Sequence, residues 1–237
     1  EGDAGLEGYI PDLMDLLEKK TGMQFQLNVV PDGLYGSKGS NGVWNGMIGQ
    51  VVSGRAQIAA APITVSDKRK EVIDFSEPFM EFNMRLVVLK GHEEGIETVA
   101  DLAARPDIQL GVVHHGITES FFDGKSSTDT DYKKLWDNMK KPENQLSTIS
   151  DGVQRIRSDK GKFATFMEAN TAKWWVSRDG CDLVAIDLGI VEKKQYALAA
   201  KKGSSLLATL NPALKELKDE GELERLSKKW WDDNSEC

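Results

Sequence analysis

Hydrophobic positions recur at helical spacing near the start of the chain. In PDLMDLLEKK, residues 11–20, Leu13, Leu16 and Leu17 share one helical face, Pro11 suits the first turn and Gly22 supplies a stop. Residues 23–30, MQFQLNVV, alternate instead, which predicts a half-buried strand. Glycines 33, 36, 39, 42 and 46 then mark residues 31–46 as a long loop running into a helix. No Gly-Lys-Ser/Thr ending follows, so a plain loop is preferred to a phosphate cradle. Short apolar runs at 57–61, 84–89 (MRLVVL), 108–113 (IQLGVV) and 195–200 predict strands. Ser150 is a candidate cap for a helix carrying Val153 and Ile156. Residues 163–176 read as a further helix. Asn211-Pro212 is placed at the start of another, and Leu223, Leu226 and Trp230 line the last. The pattern as a whole predicts an α/β fold, in two loop–strand–helix blocks that meet near residue 82.

Composition narrows the class. A chain of 237 residues holds one or two domains with a sizeable core. Its 40% hydrophobic and 29% charged residues are those of an ordinary globular protein. No apolar run reaches the length of a membrane span, and no signal peptide leads the sequence. Thirty basic against 38 acidic residues give a net charge of −8 without a long basic block, which argues against a nucleic-acid partner. Cys181 and Cys237 fit one disulfide or two free thiols. A bridge would pin the C-terminus and imply an oxidising compartment.

The densest chemistry lies in residues 59–80, AAAPITVSDKRKEVIDFSEPFM. Pro62, Thr64 and Arg69 put a carbonyl, a hydroxyl and a permanent cation near one strand end. An α-amino acid presents the complementary ammonium and planar carboxylate, and arginine holds a carboxylate with a fork of donors. The plainer alternative makes Arg69 one solvated charge in Lys68-Arg69-Lys70. A second candidate follows the run at 108–113. A strand, a glycine turn and a helix start make an anion site from backbone N–H groups. His114 and His115 there raise a metal reading, but adjacent histidines rarely face one ion and no Cys or Asp partner is suitably spaced. An exposed turn is preferred, and neither a metal nor a cofactor is expected.

Several motifs, collinear over nearly the whole chain, resemble the ligand-binding domain of ionotropic glutamate receptors, nearest the AMPA/kainate branch. They are EGYIPDL at 7–13, DGLYG at 32–36, WNGMIG at 44–49, Ala61-Pro62-Ile63 with Thr64 and Arg69, and EVIDFSEPFM at 71–80. In the second half stand the turn at 114–118 with Phe121-Phe122, Gly152-Val153 before Arg155-Ile156-Arg157, GKFATFME at 161–168, CDL at 181–183, KKGSSL at 201–206 and KKWWDDNSEC at 228–237. The resemblance implies a two-lobed clamshell like the periplasmic binding proteins, with the ligand in the interlobe cleft. Lobe 1 is expected from 1–83 and 198–237, and lobe 2 from 84–197. The family carries pore helices between its two extracellular segments. Here the junction near 90–95 holds no pore sequence, so the chain is expected to be those segments joined with the membrane part removed. The family also has a strand and a loop before EGY; starting inside that loop is expected to weaken lobe 1.

The resemblance also implies roles. Arg69 pairs with the ligand α-carboxylate, Thr64 contacts carboxylate and ammonium, Pro62 offers its carbonyl to the ammonium and Tyr9 covers the ligand. Glu168 pairs with the ammonium from the other lobe. Thr118 binds the distal carboxylate, helped by the backbone N–H of Ile117, which stands where serine is common. Tyr196 lies near the back of the cleft, and Val113, Met167 and Thr171 line the side-chain pocket. Cys181 and Cys237 match the family disulfide. The expected function is binding of an α-amino acid, L-glutamate first, with closure that drives a ligand-gated cation channel, and no catalysis. Glycine or another small amino acid is the alternative, because Ile117 and Ile149 make the pocket less polar. A transporter's soluble amino-acid-binding protein and a dehydratase-like enzyme are the rivals of other classes. The expected partners are the amino acid and other subunits, as dimers of these domains within a tetramer. Asp67 on the lobe 1 surface points to weak dimers. The expected location is the extracellular side of a plasma-membrane receptor, with the chain itself soluble.

Overall fold

A computed structural model describes residues 5–114, 116–178, 180–190, 194–233 and 235–237. In chain order the elements begin with α1 (Tyr9–Thr21), α2 (Gly46–Val52), β1 (Ile58–Thr64), the short helix α3 (Asp67–Lys70), β2 (Ile73–Phe75) and β3 (Met80–Phe82). Next come β4 (Met84–Leu89), α4 (Val99–Ala103), β5 (Gln109–Val113), α5 (Ile117–Ser126), α6 (Thr130–Met139), β6 (Gln145–Leu146) and α7 (Ile149–Ser158). The last are β7 (Phe163–Glu168), α8 (Ala169–Arg178), β8 (Leu183–Ile186), β9 (Lys194–Lys201), α9 (Leu206–Asp219) and α10 (Glu222–Ser227), which runs into a π turn at Lys228–Asp232.

The chain forms two compact units, Glu1–Glu81 with Lys194–Asn234, and Phe82–Lys193 with Ser235–Cys237. The sequence divides at 83/84 and 197/198, whereas the structure divides at 81/82 and 193/194. The difference at β9 has a simple cause: from Tyr196 onward this strand pairs with β1 and β2, and β3 also pairs with it. The final residues belong with the second unit because Cys237 is bonded to Cys181.

In the first unit β9 lies between antiparallel neighbours in the order β1-β9-β2, and β3 also pairs with it. Being flanked, its Ala197, Ala199 and Ala200 are fully buried. The predicted first helix forms as read: Leu13 and Leu17 are fully buried, and Gly22 ends it in the left-handed region at φ 71°, its N–H donating to the Glu18 carbonyl (2.8 Å). Residues 23–30 do not form the predicted strand. They alternate between half-buried and exposed, yet join no ladder with a described strand, and the Phe25 N–H donates to the Glu18 carboxylate instead (2.5 Å). Pro212 does not open its helix. The buried face already runs from Leu207 and Leu210 into Ala213, Leu214 and Leu217, so α9 begins at Leu206 with the proline inside it.

The second unit carries a five-stranded sheet in the order β6-β5-β7-β4-β8. Strands β6, β5 and β7 are parallel; β4 runs antiparallel to both β7 and β8. Side chains divide by the two-residue strand period. Leu86, Val88, Leu110, Val112, Ala164 and Phe166 pack with Phe121, Phe122, Leu135 and Met139. Val87, Phe163, Met167 and Leu183 pack on the other cluster with Val153, Ile156 and Ala172. A strand covered on both faces loses its polar alternation. That is why residues 163–176, read as one helix, are strand β7 followed by helix α8. The cap of α7 is Thr148 rather than Ser150: its hydroxyl accepts from Asp151 N–H, and the Asp151 carboxylate accepts from Thr148 N–H in return.

Candidate functional site

The sequence candidates fall into two groups, one in each unit. In the first unit, β1 delivers Pro62 and Thr64. Proline cannot donate to a ladder, and Pro62 sits where the β1–β9 register shifts, between Ala59 and Ile63. Thr64, 5% exposed, stands opposite Tyr196 of β9, itself 4% exposed. The chain then turns into α3, whose residues Asp67, Lys68 and Lys70 are exposed while Arg69 alone turns inward. Its Nη1 donates to the Thr64 carbonyl (2.9 Å) and its Nη2 to the Gly36 carbonyl (3.2 Å). The guanidinium is therefore a clamped group and not a solvated charge.

Gly36 was not among the predicted site residues, and two motifs exist to place its carbonyl. Asp32 accepts from Leu34 N–H (3.1 Å) and Gly46 N–H (2.9 Å), Met47 N–H donates to the Leu34 carbonyl (2.9 Å) and Ile48 N–H to that of Tyr35 (3.1 Å). DGLYG and WNGMIG thus lock face to face. Gly46, at φ +63°, leaves no room for a side chain: an added Cβ would stand 2.5 Å from the Leu34 oxygen and 2.6 Å from the Gly36 nitrogen.

Tyr9, the first residue of α1, is 7% exposed, its ring stacked on Phe79 (5.8 Å) and tilted against Trp231 (5.4 Å). Its buried hydroxyl has no hydrogen-bond partner among the described residues, and burial, with the Glu224 charge beside it, pushes the phenol well above its ordinary range. Phe79 N–H donates to the Tyr196 carbonyl (3.1 Å), linking Tyr9 through Phe79 to the Thr64 pair. The terminal motif holds α1 from behind: Trp230 Nε1 (2.8 Å) and Lys229 Nζ (2.5 Å) both reach the Asp12 carboxylate. Burial pushes that carboxyl up, but these two donors outweigh it and leave it below its usual range. A separate groove of about 1020 Å³ in this unit is lined by Phe79, Met80, Leu214, Lys215, Leu223 and Glu224 among others; it touches none of the predicted site residues.

In the second unit the candidates gather at the carboxyl ends of the parallel strands. Val113 ends β5 and Glu168 ends β7, both half-buried, and the neighbouring register pairs Gly111 with Thr165. Ligands of open α/β sheets bind outside this edge. Three helices start there: α5 after β5, α7 after β6 and α8 after β7. Helix N-termini carry partial positive charge; that of α7 is closed by its capping box, and the first N–H of α8, on Ala169, donates to the Asn83 carbonyl (2.8 Å). Ile117 and Thr118 open α5, with Thr118 8% exposed and Gly116 as the N-cap. A Cβ on Gly116 would meet the Val113 carbonyl at 2.9 Å, so the turn requires glycine. Thr171 is half-buried in the first turn of α8, whereas Met167, 1% exposed, belongs to the apolar core. His114 is exposed on the turn and its Nδ1 lies 3.1 Å from Glu119 Oε1; His115 lies outside the described residues. No group of three or more His, Cys, Asp or Glu side chains among the described residues is arranged to hold a metal.

The remaining motifs of this unit are structural. Cys181 and Cys237 form a disulfide, with Cα atoms 5.4 Å apart. Next to it Arg157 grips Asp182 with two parallel bonds, Nε to Oδ2 (2.8 Å) and Nη2 to Oδ1 (2.9 Å), which hold the carboxyl below its usual range.

Known proteins place this arrangement. The family described as the ligated ion channel L-glutamate- and glycine-binding site matches residues 1–92. Glutamate receptor 3 of mouse and of human are each 26% identical over 363 residues, covering all of this chain and 40% of the relative. The chain thus spans well under half the length of these relatives. That alignment is longer than the chain's 237 residues, so the relatives carry positions with no counterpart here. A solved structure described as the Drosophila muscle GluRIIB complex with glutamate superposes with a TM-score of 0.89 at 31% identity, covering all of this chain and 92% of that one. The two-lobed α/β fold is that of this group, and the chain belongs to the ionotropic glutamate receptor ligand-binding domains.

Proposed function

We propose that this domain binds an α-amino acid, L-glutamate in the first place, and that binding drives the gating of a cation channel of which it is the extracellular part. The observation that carries the reading is Arg69, turned inward and fixed by the Thr64 and Gly36 carbonyls. A guanidinium held this way has its plane set before a carboxylate arrives. In this reading the α-carboxylate pairs with Arg69 and Thr64, and the ammonium with the Pro62 carbonyl, Thr64 and Glu168. Tyr9 and Tyr196 pack about the ligand with the surface their neighbours leave uncovered. The distal carboxylate takes the hydroxyl and N–H of Thr118 and the N–H of Ile117, beside Val113, Met167 and Thr171. The family resemblance implies that a zwitterion engaging both Arg69 and Glu168 favours a closed state over an open one. In the whole receptor that closure would act on linkers to the pore, within a tetramer of such subunits.

Glycine or another small amino acid is the second reading, favoured by Ile117, which brings no hydroxyl to the turn. Calorimetry with L-glutamate, glycine and L-alanine separates the two; glycine binding tighter than glutamate would reverse the order. The relatives found are receptors and not enzymes. A turnover assay with the same amino acids is expected to show no ligand consumed, and consumption would replace binding by catalysis.

A further inference from the structure

We propose that Asn41–Gly42 is a site of spontaneous covalent modification, deamidation through a cyclic imide, and that the fold protects the same dipeptide at Asn45–Gly46. These are the two Asn-Gly pairs of the sequence. Both asparagines are exposed, so exposure does not separate them. Asparagine is a chemically labile side chain. Its loss needs the peptide nitrogen of the next residue to reach Cγ, and glycine, with no Cβ, hinders that approach least. The glycine nitrogen gives up its proton and attacks the asparagine Cγ. The N–Cγ bond forms, the Cγ–Nδ2 bond breaks, and the proton leaves with Nδ2 as ammonia. Water then opens the imide at either carbonyl, leaving an aspartyl or an isoaspartyl residue.

At Asn41 every restraint on that step is local. Its Oδ1 accepts from Val43 N–H (3.0 Å), an Asx turn that folds the side chain back toward its own following peptide. Gly42 N–H donates to the Gly39 carbonyl (2.9 Å), and Gly39 N–H to that of Val43 (2.8 Å). All three bonds lie within residues 39–43, and Gly42 is itself exposed. One local opening of this turn frees both reacting groups together. At Asn45 the restraints are long-range. Its Oδ1 accepts from Ser37 N–H (2.7 Å), its own N–H donates to the Ser37 carbonyl (3.1 Å), and its carbonyl accepts from Gly49 N–H (2.9 Å). The attacking nitrogen there, that of Gly46, is buried and donates to the Asp32 carboxylate (2.9 Å). A negative charge on that N–H opposes loss of its proton. Freeing it requires DGLYG and WNGMIG to come apart, a larger opening than that of one turn. Conversion at position 41 adds a negative charge to an exposed turn. The isoaspartyl product also lengthens the backbone by one carbon between Gly39 and Val43, which the bond closing that turn does not accommodate.

The test is peptide mapping by mass spectrometry on the whole chain, aged near pH 8 both folded and in guanidinium. In the folded chain Asn41 is expected to convert at least about tenfold faster than Asn45, because its opening is the more local. In guanidinium the fold no longer separates them, and the two rates are expected to agree within about threefold. Asn41→Gln, whose longer side chain closes its ring slowly, should remove the acidic variant that ion exchange resolves in aged wild type. Equal rates at the two sites of the folded chain, faster conversion at Asn45, or an intact Asn41 after a period that converts the unfolded chain would each overturn the proposal. So would the same acidic variant arising at the same rate in Asn41→Gln. The mapping of the wild type stands by itself if that variant folds poorly.

Discussion

At the scale of single residues, the proposed binding rests on Arg69. Two of its donors are committed to backbone carbonyls, so the fork cannot swing, and lysine has neither the fork nor the second anchor. Arg69→Lys is expected to weaken L-glutamate binding by about 100-fold or more, with a melting temperature close to wild type; calorimetry beside a thermal melt reads both. Glu168→Gln should weaken it by at least about 10-fold, because a neutral amide replaces the proposed charge-assisted partner of the ammonium. Arg69 and Thr64 stood out in the sequence as candidates because their side chains carry chemistry, and Pro62 because it frees a carbonyl beside them. The Gly36 carbonyl did not, since a backbone acceptor leaves no side-chain signature; its only trace was the glycine spacing of two motifs. Tyr9 was legible as an aromatic, but its burial between Phe79 and Trp231 depends on residues 70 and 222 positions further on.

Among the elements, the turns and strand ends do the positioning, and the glycine at 46 is the most exacting. Gly46→Ala forces a side chain at positive φ into backbone atoms 2.5–2.6 Å away. It is expected to cost about 2 kcal/mol or more in denaturant unfolding, and to lower ligand affinity because Gly36 moves with it. The Arg157–Asp182 fork joins α7 to the residue after Cys181. Both partners are about a third exposed, so after solvent screening Arg157→Ala should cost only about 1 kcal/mol. Strand β4 and the α1 stop at Gly22 were readable because local chemistry decides them. Residues 163–168 were misread because burial on both faces erased the alternation that marks a strand. Residues 23–30 were misread the other way: the alternation is present, yet the segment joins no ladder with a described strand, and period alone does not make one.

For the molecule as a whole, acid and reduction probe different supports. The carboxyls of Asp12, Asp101 and Asp182 are all held below the ordinary range. A depressed folded pKa means the unfolded chain binds more protons as pH falls, so the stabilisation is complete above about pH 4 and drains away below it. Melting temperature is expected to be flat in these groups from neutral pH to about pH 5 and to fall steeply beneath pH 4. Reduction, or Cys181→Ser with Cys237→Ser, opens a loop with a sequence separation of 56 and should cost up to about 4 kcal/mol in the chain-entropy account. The bridge also has a consequence for heredity and engineering. Because residues 235–237 belong with the inserted unit, that unit is not a single cassette. A hybrid that exchanges residues 82–193 between two receptors inherits two half-bridges that evolved apart, and keeps its disulfide only if the donor also places a cysteine at the position of Cys181. The heritable module is a long insert together with residues 235–237.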